Sequence, residues 1–489
     1  MSPPDPRSPV IVGVGQVNHP GTDAPEPVDL ITQAAIAAGD DSGAAGLLSA
    51  VESVRIVRML SWRYRDPGLL IAERIKANPR HTTYSTAGGQ TPQAMVNRAA
   101  TDIQQARADV VLIGGAESWR TRMAARAAGR ELDWTTQPED VPPAESEGSE
   151  LDMASELERQ LGVIMPVQVY PMFESALRFA AGRSIADHTR HIAQLWARFS
   201  AVAAQNPYAA LPNAVDADTI ATPGPRNRMI GFPYTKLMNS NNSVNQGAAL
   251  LLCSLEKARA LGVPDDRMVF VHAGSEANDT QYVSNRSSMS SSPAIRAAAR
   301  GLFEATSINV DDIDHVDLYS CFPSAVQVAA AELGLGLDRP LTVTGGLTFA
   351  GGPWNDYVTH SIATMTGVLR RDPGALGLCS ANGGYLTKHA LGLYSTRPPD
   401  QPFQVSKPEL DPSATPRQAV NGQATGPATI EAYTVMHDGE GKPEKAILTA
   451  LLPDGTRTWR TSNDADLMSA MTREEFCGKP LDLPASAGI

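Results

Sequence analysis

Ala108-Asp109-Val110-Val111-Leu112-Ile113-Gly114-Gly115-Ala116-Glu117-Ser118 is the stretch on which the fold turns. Ala108–Ile113 is a largely apolar strand that runs into a Gly-Gly pair and ends on polar residues. Upstream, Thr91 is placed to cap a helix with Pro92 at its first position, where a missing N–H costs nothing. Met95, Val96, Ala99, Ala100 and Ile103 then share one face at helical spacing. Pro9–Val17 reads as a buried strand, whereas the alanine-rich stretch Val28–Ala38 signals a helix only weakly. Strand and helix alternate, which predicts an α/β sheet covered on both faces.

The same order begins again near Leu250. Ala248–Leu252 is apolar, Met268–Ala273 reads as a strand, Ser292–Ala305 as a helix, and Val316–Tyr319 and Ala375–Cys379 as short strands. Between the two halves, Glu131–Glu150 is an acidic, Pro-containing excursion, Ser184–Ala204 is helical, and 221–247 is mostly loop. Seven prolines between Thr396 and Pro427 mark an irregular strap. Beyond it, Thr429–Met436, Ala446–Leu452 and Thr456–Thr461, separated by turns, form an antiparallel β module of about 60 residues. The expected division is 1–120, 121–247, 248–400 and 401–489.

At 489 residues the chain exceeds what one core usually serves, roughly 250–300 residues. A net charge of -12 argues against nucleic acid or an anionic membrane as partners, so an anionic ligand would need a local basic pocket. Cys253, Cys321, Cys379 and Cys477 are widely spaced, which argues against disulfides or bound metal and fits a reducing cytoplasm. Met1-Ser2-Pro3-Pro4-Asp5-Pro6 lacks the blocks of a signal peptide, and no apolar run reaches the roughly 18 residues of a membrane span.

Residues 82–118 resemble the nucleophile region of the thiolase superfamily, and about 8–395 of the chain resembles that family as a whole, in particular the thiolase-like proteins grouped with sterol-carrier-type thiolases. Val244-Asn245-Gln246-Gly247-Ala248-Ala249 is similar to the family's Asp-Gly-Ala-Ala segment. Leu255–Gly262 is similar to the helix after it, and Asp311-Asp312-Ile313-Asp314-His315-Val316-Asp317 to its Asp-Asp-Ile-Asp turn. The resemblance implies a five-layered αβαβα fold of two similar halves with an inserted loop domain. The additional C-terminal antiparallel β module is barrel-like in its strand-and-turn pattern.

The resemblance also implies where catalysis should sit, and there the residues differ. The acyl-accepting cysteine corresponds to Gly89, the Asn or His of the next catalytic loop to Tyr319 in Tyr319-Ser320-Cys321-Phe322, and the activating histidine to Gly352 in Gly351-Gly352-Pro353. The Cys-x-Gly segment corresponds to Cys379-Ser380-Ala381, or, three residues on, to a register that puts Asn382 at the acid/base position. At most one catalytic residue survives, Cys379. A thiolase needs an activated thiolate and a base, and two glycines supply neither. Small residues at 89 and 352 would leave the pocket roomier than an active one.

Other candidates are Cys321, which equally fits a small buried residue, and His360, four residues after Asp356. His389 follows a Gly-Gly loop, and the free N–H groups of Gly88-Gly89 stand before a helix N-terminus. Arg226, Arg228 and Lys236 could meet the phosphates of coenzyme A. The resulting expectation is a cytoplasmic, thiolase-like protein that binds coenzyme A or an acyl-CoA, needs no cofactor, and lacks ordinary thiolase activity. The alternatives are an acyltransferase or hydrolase using Cys379, Tyr319 or His389, and a non-catalytic subunit for a protein partner. The chain would be a monomer or a homodimer.

Overall fold

Nine strands carry the central architecture: β1 (Pro9–Asn18), β2 (Ser53–Ile56), β3 (His81–Ser85), β4 (Val110–Ser118), β5 (Asn245–Ser254), β6 (Val269–Asn278), β7 (His315–Asp317), β8 (Leu376–Gly383) and β9 (Lys388–Ser395). The computed structural model describes residues 3–413 and 415–484. Met1 and Ser2 of the N-terminal stretch, Ala414 of the strap and 485–489 of the C-terminal module lie outside them.

In the first half the strand order is β3-β2-β4-β5-β1, with β2 parallel to its neighbours and β5 antiparallel to both of its own. In the second it is β7-β8-β9-β6, with β7 parallel to β8 and β9 antiparallel to β8 and β6. The run β2-β4-β5-β1 therefore repeats as β7-β8-β9-β6 with the same strand directions. Sequence similarity between the halves is too low to show this duplication, but the pairing pattern does. Val10 and Ile11 pair with Phe270 and Val269, so the two halves join into one eleven-stranded sheet.

Helices form the remaining layers: α1 (Pro27–Asp41), α2 (Thr91–Gln104), α3 (Pro166–Ala180), α4 (Ile185–Ala203), α5 (Pro293–Thr306), α6 (Pro323–Leu333) and α7 (Tyr357–Arg371). α2 and α7 each touch strands of both halves and one another, so they make the middle layer; α1 covers the outside of the first half and α5 that of the second. This is the five-layered thiolase fold. Being enclosed on two sides, α2 buries Gln93 and Asn97 as well as its apolar face. Those amides satisfy each other at 2.9 Å, and Tyr394 Oη donates to Gln93 Oε1 at 2.8 Å.

Several local expectations are corrected. Thr91 lies inside α2, and its hydroxyl donates to Gly88 O at 2.7 Å; Gln90 takes the capping position without a side-chain bond. The acidic excursion is not wholly irregular, because Glu145–Glu147 adds a strand parallel to β3 at the sheet's end. The loop 221–247 contains two short strands, Met229–Gly231 and Tyr234–Thr235. These extend the C-terminal sheet of β10 (Gly426–His437), β11 (Pro443–Leu451) and β12 (Arg457–Ser462), whose order is an open path from β12 to Tyr234–Thr235. Arg457, fully buried on β12, pairs with Glu431 at 2.6 Å and donates to Ser284 O at 3.0 Å, fastening the module to the body. No helix among the described residues is long and apolar enough to cross a membrane.

Candidate functional site

Both middle helices begin at one place. Gly88 precedes α2 and Asn355 precedes α7, and the Gly88 N–H donates to Asn355 Oδ1 at 2.9 Å. Asn355 Nδ2 in turn donates to Arg58 O at 2.8 Å. Above this junction lies a cavity of about 280 Å³, bounded by Gly88-Gly89, Tyr319–Phe322, Trp354-Asn355, Asn382–Tyr385, the Asn239–Asn242 loop and the start of α3. Gly89, Tyr319 and Asn382, which are far apart in sequence, therefore line one space.

That space is not enlarged at residue 89. A Cβ on Gly89 would collide with Tyr319 Oη, lie 2.7 Å from Tyr319 Cζ and 2.5 Å from the Asn382 carbonyl oxygen. The tyrosine fills the volume that the missing side chain vacates, which corrects the expectation of a roomier pocket. Gly352 is set behind the wall: its N–H donates to Asn241 O at 3.0 Å, and a Cβ there would sit 3.0 Å from Asn242 Oδ1.

Tyr319 is held by its N–H donating to Ser380 Oγ at 2.9 Å and by an edge-on contact with Tyr357. Its hydroxyl has no hydrogen-bond partner among the described residues. Burial raises its pKa far above the ordinary tyrosine value, so it meets the cavity as a neutral phenol. Asn382 is oriented through Tyr170. The Tyr170 hydroxyl spends its one proton on Gly384 O at 3.0 Å and accepts from Asn382 Nδ2 at 2.9 Å. Asn382 Oδ1 is left without a partner, in a residue 5% exposed.

Cys321 also lines the cavity, and burial pushes its thiol up to about 12, too high for a thiolate at neutral pH. Cys379 does not reach the cavity. It lies fully buried in the middle of β8, where its sulfur accepts from Ser361 Oγ at 3.5 Å, and burial raises its thiol pKa further still. Asn382, three residues further along the strand, does line the cavity.

His389 is likewise removed from the cavity. On β9 it lies 3.4 Å from both Asp279 Oδ2 and Ser292 Oγ through the same nitrogen, Nε2. A relay of serine, histidine and carboxylate needs its two partners on different ring nitrogens, so this cluster ties β6, β9 and the start of α5 together. His360 is buried beneath Asp356, with Nδ1 2.8 Å from Gln16 Oε1. Arg226 and Lys236 are exposed, Arg228 donates to Met229 O and Asp438 O, and none of the three lines the cavity. No histidine, carboxylate, lysine or arginine lines it among the described residues.

Two contributors were not legible beforehand. Trp354, directly after the Gly-Gly-Pro segment, adopts φ +49°, a strained conformation for a bulky residue, and faces the cavity. Tyr170 comes from α3, for which the sequence offers no motif. Asn239 and Asn242 belong to a visible cluster of asparagines, but nothing in that cluster says which of them point inward.

Comparison with known proteins adds four findings. Residues 407–485 match the thiolase-like protein type 1 additional C-terminal domain. Over 99% of both chains, the protein is similar to the crystal structure of a monomeric SCP2-thiolase-like protein type 1 from Mycobacterium smegmatis, with 32% identity and a TM-score of 0.83. The dimeric peroxisomal thiolase of Saccharomyces cerevisiae shares the fold, at 15% identity and a TM-score of 0.57 over 80% of this chain and 98% of that one. An acetyl-CoA acetyltransferase of Methanocaldococcus jannaschii is 24% identical over 266 residues, which is 54% of this chain and 60% of the relative.

Proposed function

This chain belongs to the SCP2-thiolase-like proteins of type 1, and we propose that it binds coenzyme A or an acyl-CoA, with the acyl end in the Gly89 cavity, without carrying out the acetyl-CoA acetyltransferase reaction. The observation that carries this reading is that Tyr319 takes up the side-chain volume at Gly89, the position that the resemblance gives to the acyl-accepting cysteine. Claisen chemistry needs a thiolate and a base poised near neutral pH. The cavity offers a glycine, neutral amides, neutral phenols and a thiol pushed up to about 12. Such a lining can hold a carbonyl or thioester by hydrogen bonds, and it has nothing to deprotonate a carbon acid. The role would lie in lipid or acyl-CoA metabolism in the cytoplasm.

Titration of the purified protein with acetoacetyl-CoA plus free coenzyme A, followed by calorimetry, tests the reading. A saturable heat without turnover supports it. Sustained heat proportional to substrate overturns it and turns attention to Tyr319 and Cys321, the remaining candidates for an acyltransferase or hydrolase. Absence of heat at two temperatures favours a scaffold that engages a protein partner.

The monomer is the proposed assembly state. Glu145–Glu147 pairs along β3, so that strand does not offer a bare edge to a second copy.

A further inference from the structure

A larger cleft, of about 770 Å³, opens between α2, the excursion at Glu147–Ser149 and the strap at Phe403–Pro408; it shares no lining residue with the Gly89 cavity. Its cations are almost all neutralised by protein carboxylates. Arg98 meets Glu147 at 3.0 Å, Arg107 meets Asp102 at 2.6 Å, and Lys407 meets Glu276 at 3.1 Å. Lys388 is different. It is 4% exposed, its ammonium donates to the Ala87 carbonyl at 2.6 Å, and it makes no ion pair among the described residues, Glu150 acting on it only from a longer distance.

An ammonium has three protons to donate and a full charge to compensate, and a buried charge is retained where something pairs with it. One neutral carbonyl leaves both needs unmet. The facing walls are apolar in part, through Met95, Phe403 and Val405. We infer that this cleft is a second ligand site, for a small organic carboxylate with an apolar body, whose anionic group pairs with Lys388.

The chemistry is complementary point by point. A carboxylate supplies the missing charge and accepts the free ammonium protons, and charge-assisted bonds of this kind are stronger than neutral ones. A hydrocarbon body covers Met95 and Phe403. Burial lowers the Lys388 pKa in the empty protein, and an anion alongside would raise it again. Protein carboxylates already occupy the other cations, so the cleft has room for one anionic group rather than several. That distinguishes it from a site for a polyphosphate.

Octanoate, octanol and octyl phosphate are suitable probes for the full chain, followed by calorimetry at pH 7. The expected result is saturable octanoate binding that octanol does not reproduce. Lys388→Met should weaken it by about tenfold or more, Lys388→Arg should largely retain it, and Phe403→Ala should weaken it without touching the charge. Because an unpaired buried ammonium is replaced by an apolar chain of similar length, Lys388→Met should fold and melt no lower than the parent. Equal octanoate affinity in Lys388→Met, equal binding of octanol, tighter binding of octyl phosphate than of octanoate, or no binding at all would each overturn the inference. If Lys388→Met fails to fold, an unchanged octanoate affinity in Phe403→Ala overturns it alone. Acetoacetyl-CoA titration of the same variants reads the Gly89 cavity separately.

Discussion

The Tyr319 hydroxyl stands within clashing distance of the point at which a side chain on residue 89 would begin. These residues sit 230 positions apart and in different halves of the duplicated fold, yet they are sterically exclusive. Glycine at 89 is therefore required by Tyr319 and by the Asn382 carbonyl rather than by its own backbone angles. Glycine at 89 and tyrosine at 319 are two sides of one packing solution.

Gly89→Ala should therefore destabilise the protein by about 1–3 kcal/mol, the usual cost of overpacking. In a Tyr319→Ala background the added cost should shrink, but not vanish, because the Asn382 carbonyl remains 2.5 Å from the new methyl. A double-mutant cycle by urea unfolding measures this coupling, expected at about 1 kcal/mol or more. Simple additivity of the two changes would show that the clash is relieved elsewhere.

His360 should make the protein acid-sensitive. Burial lowers its pKa to about 3 in the folded protein, from 6.5. Between those values the unfolded chain holds a proton that the folded one does not, so the stability present above pH 6.5 is lost as the pH falls. His360→Gln removes that proton linkage. The stability gap between variant and parent should shift in favour of the variant by about 3 kcal/mol between pH 7 and pH 4. Urea midpoints that run parallel across this range would contradict the assignment.

Arg457 should brace β12 against β10 inside the C-terminal module, through a charge pair that one partner cannot do without. Arg457→Ala strands Glu431 and should cost about 3–5 kcal/mol, whereas Arg457→Met with Glu431→Met should cost much less. Limited proteolysis in the strap 398–427 reads the separate bond to Ser284 O, with faster cleavage in both variants. If both variants lose equal stability, packing around the pair matters more than the charge.

Trp354 should report on the Gly89 cavity. The chain has six tryptophans, and Trp354 alone lines that cavity. Acyl-CoA binding should change the emission of the parent protein, and Trp354→Phe should abolish most of that change with affinity kept within about threefold. An unchanged signal in the variant would place the ligand elsewhere.

Deleting Glu145–Glu147, the strand that covers β3, should leave that edge bare. Sedimentation equilibrium should then show self-association rising with concentration, against a monomeric parent. Monomers in both proteins would mean that the edge is protected by other means.

The amino-acid sequence alone carried a good deal of this. Strands such as Pro9–Asn18 and Val110–Ser118 were readable because a doubly covered strand is a continuous apolar run, and α2 because its buried residues keep a period even when enclosed. The same local logic located the C-terminal hairpins through their turns. The resemblance that the sequence carries also implies that Gly89 and Gly352 stand where thiolase chemistry needs side chains. Position in space is another matter. Cys379 and Asn382 differ by three residues on one strand, and only the tertiary structure decided that the first is core and the second faces the cavity. His389 followed a promising loop, but the alternation of a strand turned it toward Asp279 and away from the Gly89 cavity. Tyr319 filling the space of residue 89, and Lys388 left without an ion pair among the described residues beside Arg98, Arg107 and Lys407, which have one, arise from contacts between segments hundreds of residues apart. Local pattern has no access to such contacts, since they depend on how the two halves and the strap close on one another.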